Sequence, residues 1–415
     1  LSSIAGYRPG WGQLSGISAH YGFLGYATWF WTFGIALIGS AIWSIFDNKR
    51  SQPAKNYNQL YYWLRVIVRY RIALGIIAFG FLKVYPMQMP PPAISNLETN
   101  IGDYNTYKIY WQQLGIVIWY EVLLGFVEVL GGVLMFFRRT SAIGAFINAG
   151  VLLNIAHANF AYDGGVHVYS SLFVLFSIFI LLPYLKNLWT LFILRKEVNS
   201  FPFFPQWKGK KKTIYLIVKS LIVVLFTIVY GILRYDVHYK QGYLKDPIKP
   251  GLSNAAGFYN VSTFKLNGTE IAYSPYDSVR WQNVIFEKWS TLTYQVYHSF
   301  DISLENGTPA KNDWERNYEL AGIAGGRRFL FYKLDTIKQT LLFQDKNFKK
   351  YRTDNNDKSK GKNRKKDEGF QPLFSLHYER VSNDKIILSG KNENKDSLYI
   401  VLDRVRKEYP VYSGL

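Results

Sequence analysis

Four basic residues lie inside one long apolar run of this chain: Arg65, Arg69, Arg71 and Lys83 in WLRVIVRYRIALGIIAFGFLKV. A second run, WYEVLLGFVEVLGGVLMFF, carries Glu121 and Glu128, seven residues apart and so on about one face of a helix. A third, FINAGVLLNIAHANFAYD, adds Asn148, Asn154, His157 and Asn159, with Asp163 and His167 just beyond. Ionisable groups at such depth in apolar helices are costly; they pair with one another or line a functional cavity. Arg65, near a helix end, can snorkel to the interface and needs no special partner. Counting depth between antiparallel neighbours pairs Arg71 with Glu128, and Lys83 with Glu121 closer to the outer face. Asn154 and His157 share a face, so Lys83, Glu121, Asn154, His157, Asp163 and His167 form an expected outer polar pocket.

Such a pocket suits a quinone, a lipid-like or anionic ligand, or protons. If the charges only pair, they fix the register of the helices instead. His157 and His167 would serve as haem ligands only if both faced one macrocycle plane, which a tight hairpin does not require, so haem is not expected. The chain has six histidines and no cysteine, which excludes disulfides and thiolate chemistry and argues against a dedicated metal site. No flavin, nucleotide or nucleophile motif is present, so stand-alone catalysis is not expected and any redox centre would belong to a partner.

The elements that must position these groups are apolar windows near residues 25–46, 61–85, 116–137, 141–161, 166–185 and 213–233, each long enough to span about 30 Å of hydrocarbon. The small residues of EVLGG and SAIGAFINAG are the device by which membrane helices approach closely. The formal charge of +20 would fit phosphate binding, but its placement argues against nucleic acid. Twelve Lys and Arg (Lys49, Arg50, Lys55, Arg138, Arg139, Lys186, Arg195, Lys196, Lys208, Lys210, Lys211, Lys212) fall in the loops of one side, and only Arg8 and Lys108 in those of the other. By the positive-inside rule both termini then face away from the cytoplasm.

Residues 86 to 115 form a long connection rich in turn formers and aromatics, expected to lie along the outer interface, as an ordered loop or as a lid. Past Arg234 the grammar changes to short period-two runs such as TFKLNGTEIAY, KIILSG and SLYIVLDRV, broken at Asn-Gly or Gly. These predict a soluble all-β domain over 234–415, a small barrel or sandwich, with a charged insertion at about 345–369 too polar to pack. The linear division is therefore an N-terminal segment and first helix (1–60), a four-helix core (61–190), a basic loop and sixth helix (191–233), and the β domain.

The stretch from Trp63 to about Trp189 resembles DoxX-like integral membrane proteins, on WLRVIVRYRIALGIIAFGFLKV, the outer loop containing GDYN, EVLGGVLMFFRRTSAIGA and NIAHANFAYDGGVHVYS. It is most similar to the longer subgroup with an added N-terminal helix and a C-terminal β domain. The positions that match are Arg71, Lys83, Glu128, Arg138, Arg139, Asn159, Tyr162 and Asp163, while His167 stands where a basic residue such as Lys is expected. The resemblance implies a four-helix bundle, similar to the small subunit of a thiosulfate:quinone oxidoreductase and to the membrane parts of lipase maturation factors and vitamin K-dependent carboxylases. One fold hosts many activities, so it implies less about function. The expected role is an inner-membrane subunit of a bacterial envelope complex that binds a quinone or lipid-like ligand in the outer pocket and supports a partner carrying the redox centre. The alternative is an anchor that presents a periplasmic β interaction domain to other membrane or periplasmic proteins. Heavy use of Lys, Asn, Tyr and Phe points to a bacterial source of the Bacteroidetes type.

Overall fold

The computed structural model describes residues 26–48, 57–198, 205, 207–242, 244–298, 300, 302, 303, 307, 309–347 and 370–413. Arg8, Lys49, Arg50, Lys55 and the insertion from 348 to 369 lie outside them. The apolar windows fold as helices because a lone segment in hydrocarbon must satisfy its own backbone. The helices are α1 (Ala27–Asn48), α2 (Asn58–Val84), α3 (Ile94–Leu97), α4 (Thr106–Gly115), α5 (Ile118–Phe136), α6 (Ser141–Ala161), α7 (His167–Phe192) and α8 (Gly209–Lys240). The last includes π-helical stretches at Val224–Val229 and Asp236–Lys240. Five of them, α1 and α5 to α8, are long and apolar enough to cross a membrane. The sequence reading expects six. The sixth, α2, has 27 residues but at least three basic side chains in every 18-residue window.

The chain divides into two units, one of Leu1–Pro86 with Trp119–Asp236, the other of Met87–Ile118 with Val237–Leu415. This differs from the linear division, which leaves 86–115 with the membrane core. In the helical unit, α2, α5, α6 and α7 enclose a core of Ile72, Ile76, Met135, Ala145, Phe173 and Ile180. Close approach depends on glycine. A methyl group added at Gly125 would lie 2.7 Å from the Gly80 carbonyl oxygen, and one at Gly144 would lie 3.0 Å from that of Gly131. The small residues of α5 and α6 thus act as their size permits.

The second unit is a closed antiparallel barrel. Its strands are β1 (Gly257–Leu266), β2 (Thr269–Glu270), β3 (Asn283–Phe286), β4 (Thr291–Gln295), β5 (Arg327–Asp335), β6 (Thr340–Asp345), β7 (Phe374–Ser382), β8 (Lys385–Lys391) and β9 (Ser397–Val405). Eight of them, β1 and β3 to β9, pair in chain order, and β9 closes on β1, so the cylinder has no free edge. The short β2 hairpins onto β1 through Asn267 (φ 52°) and Gly268 (φ 82°), the left-handed pair that an Asn-Gly turn favours. A bulge between Val261 and Thr263 resets the alternation of β1, so that Tyr259, Val261 and Phe264 all point into the core. Val284, Phe286, Leu330, Tyr332, Leu376 and Leu402 fill the middle of the barrel.

Candidate functional site

The polar groups of the helical unit are brought together differently from the depth count. Lys83 donates to both carboxylate oxygens of Glu128, at 2.8 and 2.9 Å, and both side chains are buried. Arg71 instead donates to the Tyr169 hydroxyl at 3.3 Å and lies over the Phe173 ring at 5.0 Å. The pairs Arg71 with Glu128 and Lys83 with Glu121 are therefore not those formed. Counting from helix ends assumed equal depths for the ends of α2 and α5. The glycine contacts decide the register instead, seating Gly80 against Gly125 and Ile77 against Gly132. In that register Arg69 reaches the end of α5, donating to the Met135 and Phe136 carbonyls at 3.0 and 3.1 Å. These last-turn carbonyls have no partner within their own helix. Arg65 does not snorkel: it is buried and donates to the Ile180 carbonyl at 3.2 Å, in the turn of α7 that precedes Pro183.

The expected outer pocket is only half assembled. Lys83, Glu121 and His167 are buried, whereas Asn154, His157 and Asp163 are exposed. The buried stripe of α6 runs through Gly144, Ala145, Asn148, Leu152, Ala156 and Asn159, so the face shared by Asn154 and His157 turns outward. Asn148, one of the stripe, donates to the Gly131 carbonyl at 3.3 Å. His167 packs its ring against Tyr26 and Phe160, with centroids 5.7 and 5.4 Å away.

The denser polar cluster is in the barrel unit, where the segment 87–118 is built onto the strands. Glu287, just past β3, accepts from the backbone N–H groups of Ile94 (2.9 Å) and Ser95 (2.8 Å) at the start of α3. The Glu319 carboxylate accepts from Trp289 Nε1 (2.6 Å), Thr291 Oγ1 (3.0 Å) and Lys346. Asn96 donates to the Glu319 carbonyl at 2.7 Å. Lys108, in α4, donates to the Tyr318 carbonyl at 2.5 Å and sits 3.6 Å from the centre of the Tyr318 ring. Lys245 donates to the Gln88 carbonyl at 2.9 Å. The segment expected to lie on the interface or act as a lid is thus pinned to the barrel by buried ionic groups.

Burial sets their protonation. It lowers Lys108, against the attraction of Asp246, and raises Asp246, with Glu319 adding and the nearby lysines opposing. Burial pushes Glu287 up to about 7, the charge of Glu319 adding and the Ile94 and Ser95 amides opposing. A carboxyl whose folded pKa is raised holds a proton longer in the folded state. Its contribution to stability is complete below the ordinary value of 4.5 and is lost as pH rises through about 7. Glu287→Gln should therefore flatten the pH dependence of barrel melting between those limits, which a series of melting curves would read; an unchanged slope would assign it to other groups. Sequence reasoning did not single out this cluster. The available signals were Glu287 directly after the apolar NVIF and Glu319 between Tyr318 and Leu320.

Among known proteins, the chain is 33% identical over 110 residues to "Uncharacterized protein YwoB" of Bacillus subtilis (strain 168). The similar stretch covers 26% of this chain and 70% of that protein. No family model matches the chain. No solved structure matches it.

Proposed function

We propose, for a chain that belongs to the family of the Bacillus subtilis protein YwoB, the role of a membrane anchor that presents its β barrel as an interaction domain within a bacterial envelope complex. The DoxX-like resemblance of residues 63–189 enters this proposal as the character of the bundle, and the bias of Lys and Arg between loops as the reason to place the barrel outside the cytoplasm, on the inner membrane. One observation carries the reading: the loop between α2 and α5 is invested in the barrel, through Ile94, Ser95, Asn96 and Lys108, rather than in a site among the helices. The basic groups of α2 meanwhile end on carbonyls, a tyrosine hydroxyl and Glu128, which is the pattern of charges that hold helices in register. A quinone site in the outer pocket has less support, because three of its six groups face outward.

The test is isolation of the native protein in mild detergent with mass spectrometry of everything retained. Envelope proteins held at a fixed ratio, with no quinone, are the expected result. A lone monomer would overturn the proposal. So would a co-purifying quinone that Glu121→Gln releases, which would restore the redox-subunit reading.

A further inference from the structure

The middle of the barrel is filled, but one end is open. A cavity of about 390 Å³ lies there, within the range of small-ligand pockets and at a barrel mouth, where such pockets recur. Its wall draws on β1, β4, β5, β7 and β9 through Phe264, Tyr294, Arg328, Phe374 and Leu398. It is the barrel's own lumen rather than a gap beneath a loop. Phe264, Trp281, Tyr294 and Phe374 give its lining an aromatic part, the floor, in which Trp281 and Tyr294 are buried against each other with centroids 3.9 Å apart and planes 7° apart.

At this mouth two carboxylates face a single guanidinium, so its one cation is already engaged. Arg328 donates Nε and Nη2 to Asp345 at 2.8 and 2.7 Å, and Nη1 to Tyr294 Oη at 2.9 Å and to Glu393 at 2.5 Å. Two carboxylates and a phenol thus occupy all sides of the one guanidinium, which leaves no free cation to select an anion. The remaining polar groups are a hydroxyl, an imidazole and an amide. Ser278, His298 and Asn394 line the cavity, and their side chains make no hydrogen bond among the described residues. A long apolar chain does not fit either, because Val284, Phe286, Leu330 and Tyr332 close the lumen below.

We infer that the barrel mouth is a binding site for a neutral carbohydrate, a sugar whose C–H face rests on the aromatic floor and whose hydroxyls meet Asn394, His298 and Ser278. A sugar ring is the ligand that combines one apolar face with several uncharged donors and acceptors, which is what this floor and rim together require. The inference rests on the reading of the barrel as a binding domain and supplies the chemistry of one of its ligands.

The experiment is isothermal titration calorimetry of the full chain in a detergent without a sugar headgroup, with maltotriose, cellotriose and chitotriose as probes. Saturable binding of at least one trisaccharide is expected. His298→Ala and Asn394→Ala, both at exposed positions, should each weaken it by about tenfold, the loss of one hydrogen bond. Absence of saturable heat with all three, or binding that neither variant alters, would overturn the site, as would competition by decanoate, which would mark an amphiphile pocket. The outcome is separable from that of the complex: sugar binding without retained envelope proteins rejects the anchor reading alone, and retained proteins without sugar binding reject this site alone.

Discussion

Glu128→Ala should be the most damaging single change in the helical unit. It leaves the Lys83 ammonium buried with no counter-charge, a loss of about 3–5 kcal/mol for a broken buried pair. Removing both charges together should cost far less, because an apolar pair of similar volume avoids the desolvation that the ion pair only repays. Lys83→Met combined with Glu128→Leu is therefore expected to melt close to the parent, while either single change lowers the melting temperature sharply. Melting in detergent, followed by the near-ultraviolet signal of the helical aromatics, reads both. Equal damage from the double and single variants would mean that the pair is needed for something besides neutralising itself, and would return the bundle to the list of functional sites.

Arg316→Met should do the same in the barrel unit. The guanidinium is fully buried and donates to Asp313 (2.7 Å) and to the carbonyls of Asp246 (3.0 Å), Ala310 (3.0 Å), Lys311 (3.3 Å) and Gly242. Asp313 in turn accepts from the Ile248 and Lys249 amides at 3.1 and 2.6 Å. One side chain therefore joins the lead into the barrel, residues 242–249, to the loop 310–316. Its loss strips four carbonyls and a carboxylate of a donor, and about 3–5 kcal/mol is expected. Arg316→Lys keeps the charge but not the planar fork, so it should fall between parent and Met. Limited proteolysis of the full chain gives the readout: cleavage near residues 242–249 should quicken in the order parent, Lys, Met. Resistance that is the same in all three would show that the lead is held by other contacts.

Local patterns in the sequence carried the elements well and their partners poorly. The apolar windows became helices close to the expected bounds, because spanning length and apolarity are properties of each segment alone. The Asn267–Gly268 hairpin was legible for the same reason, since two adjacent residues specify the turn. Partners depend on register. Lys83 finds Glu128 because Gly80 and Gly125 let two backbones touch, and the depth count had no means of weighing that contact against helix ends. The facing of α6 was misread because Asn154 and His157 looked like an interior pair, while the small residues of the opposite stripe packed better. The pairings of the polar core of the barrel unit were beyond reach: Ile94 and Glu287 stand 193 positions apart, and no periodicity links them.

That separation also orders events during synthesis. The segment 87–118 leaves the ribosome long before β3 and Glu287 exist, and the chain must complete α5 to α8 in the interval. Until then Met89, Tyr107 and Trp111 can cluster with Tyr110 and Leu114 of their own segment, and the amides of Ile94 and Ser95 wait for the Glu287 carboxylate. Contacts of such high order are slow to close. The barrel's seam, where β9 returns to β1, is made last of all. A chain cut short anywhere before Ser397 would therefore retain an open sheet edge beside an unclaimed aromatic segment, the kind of intermediate that quality control removes.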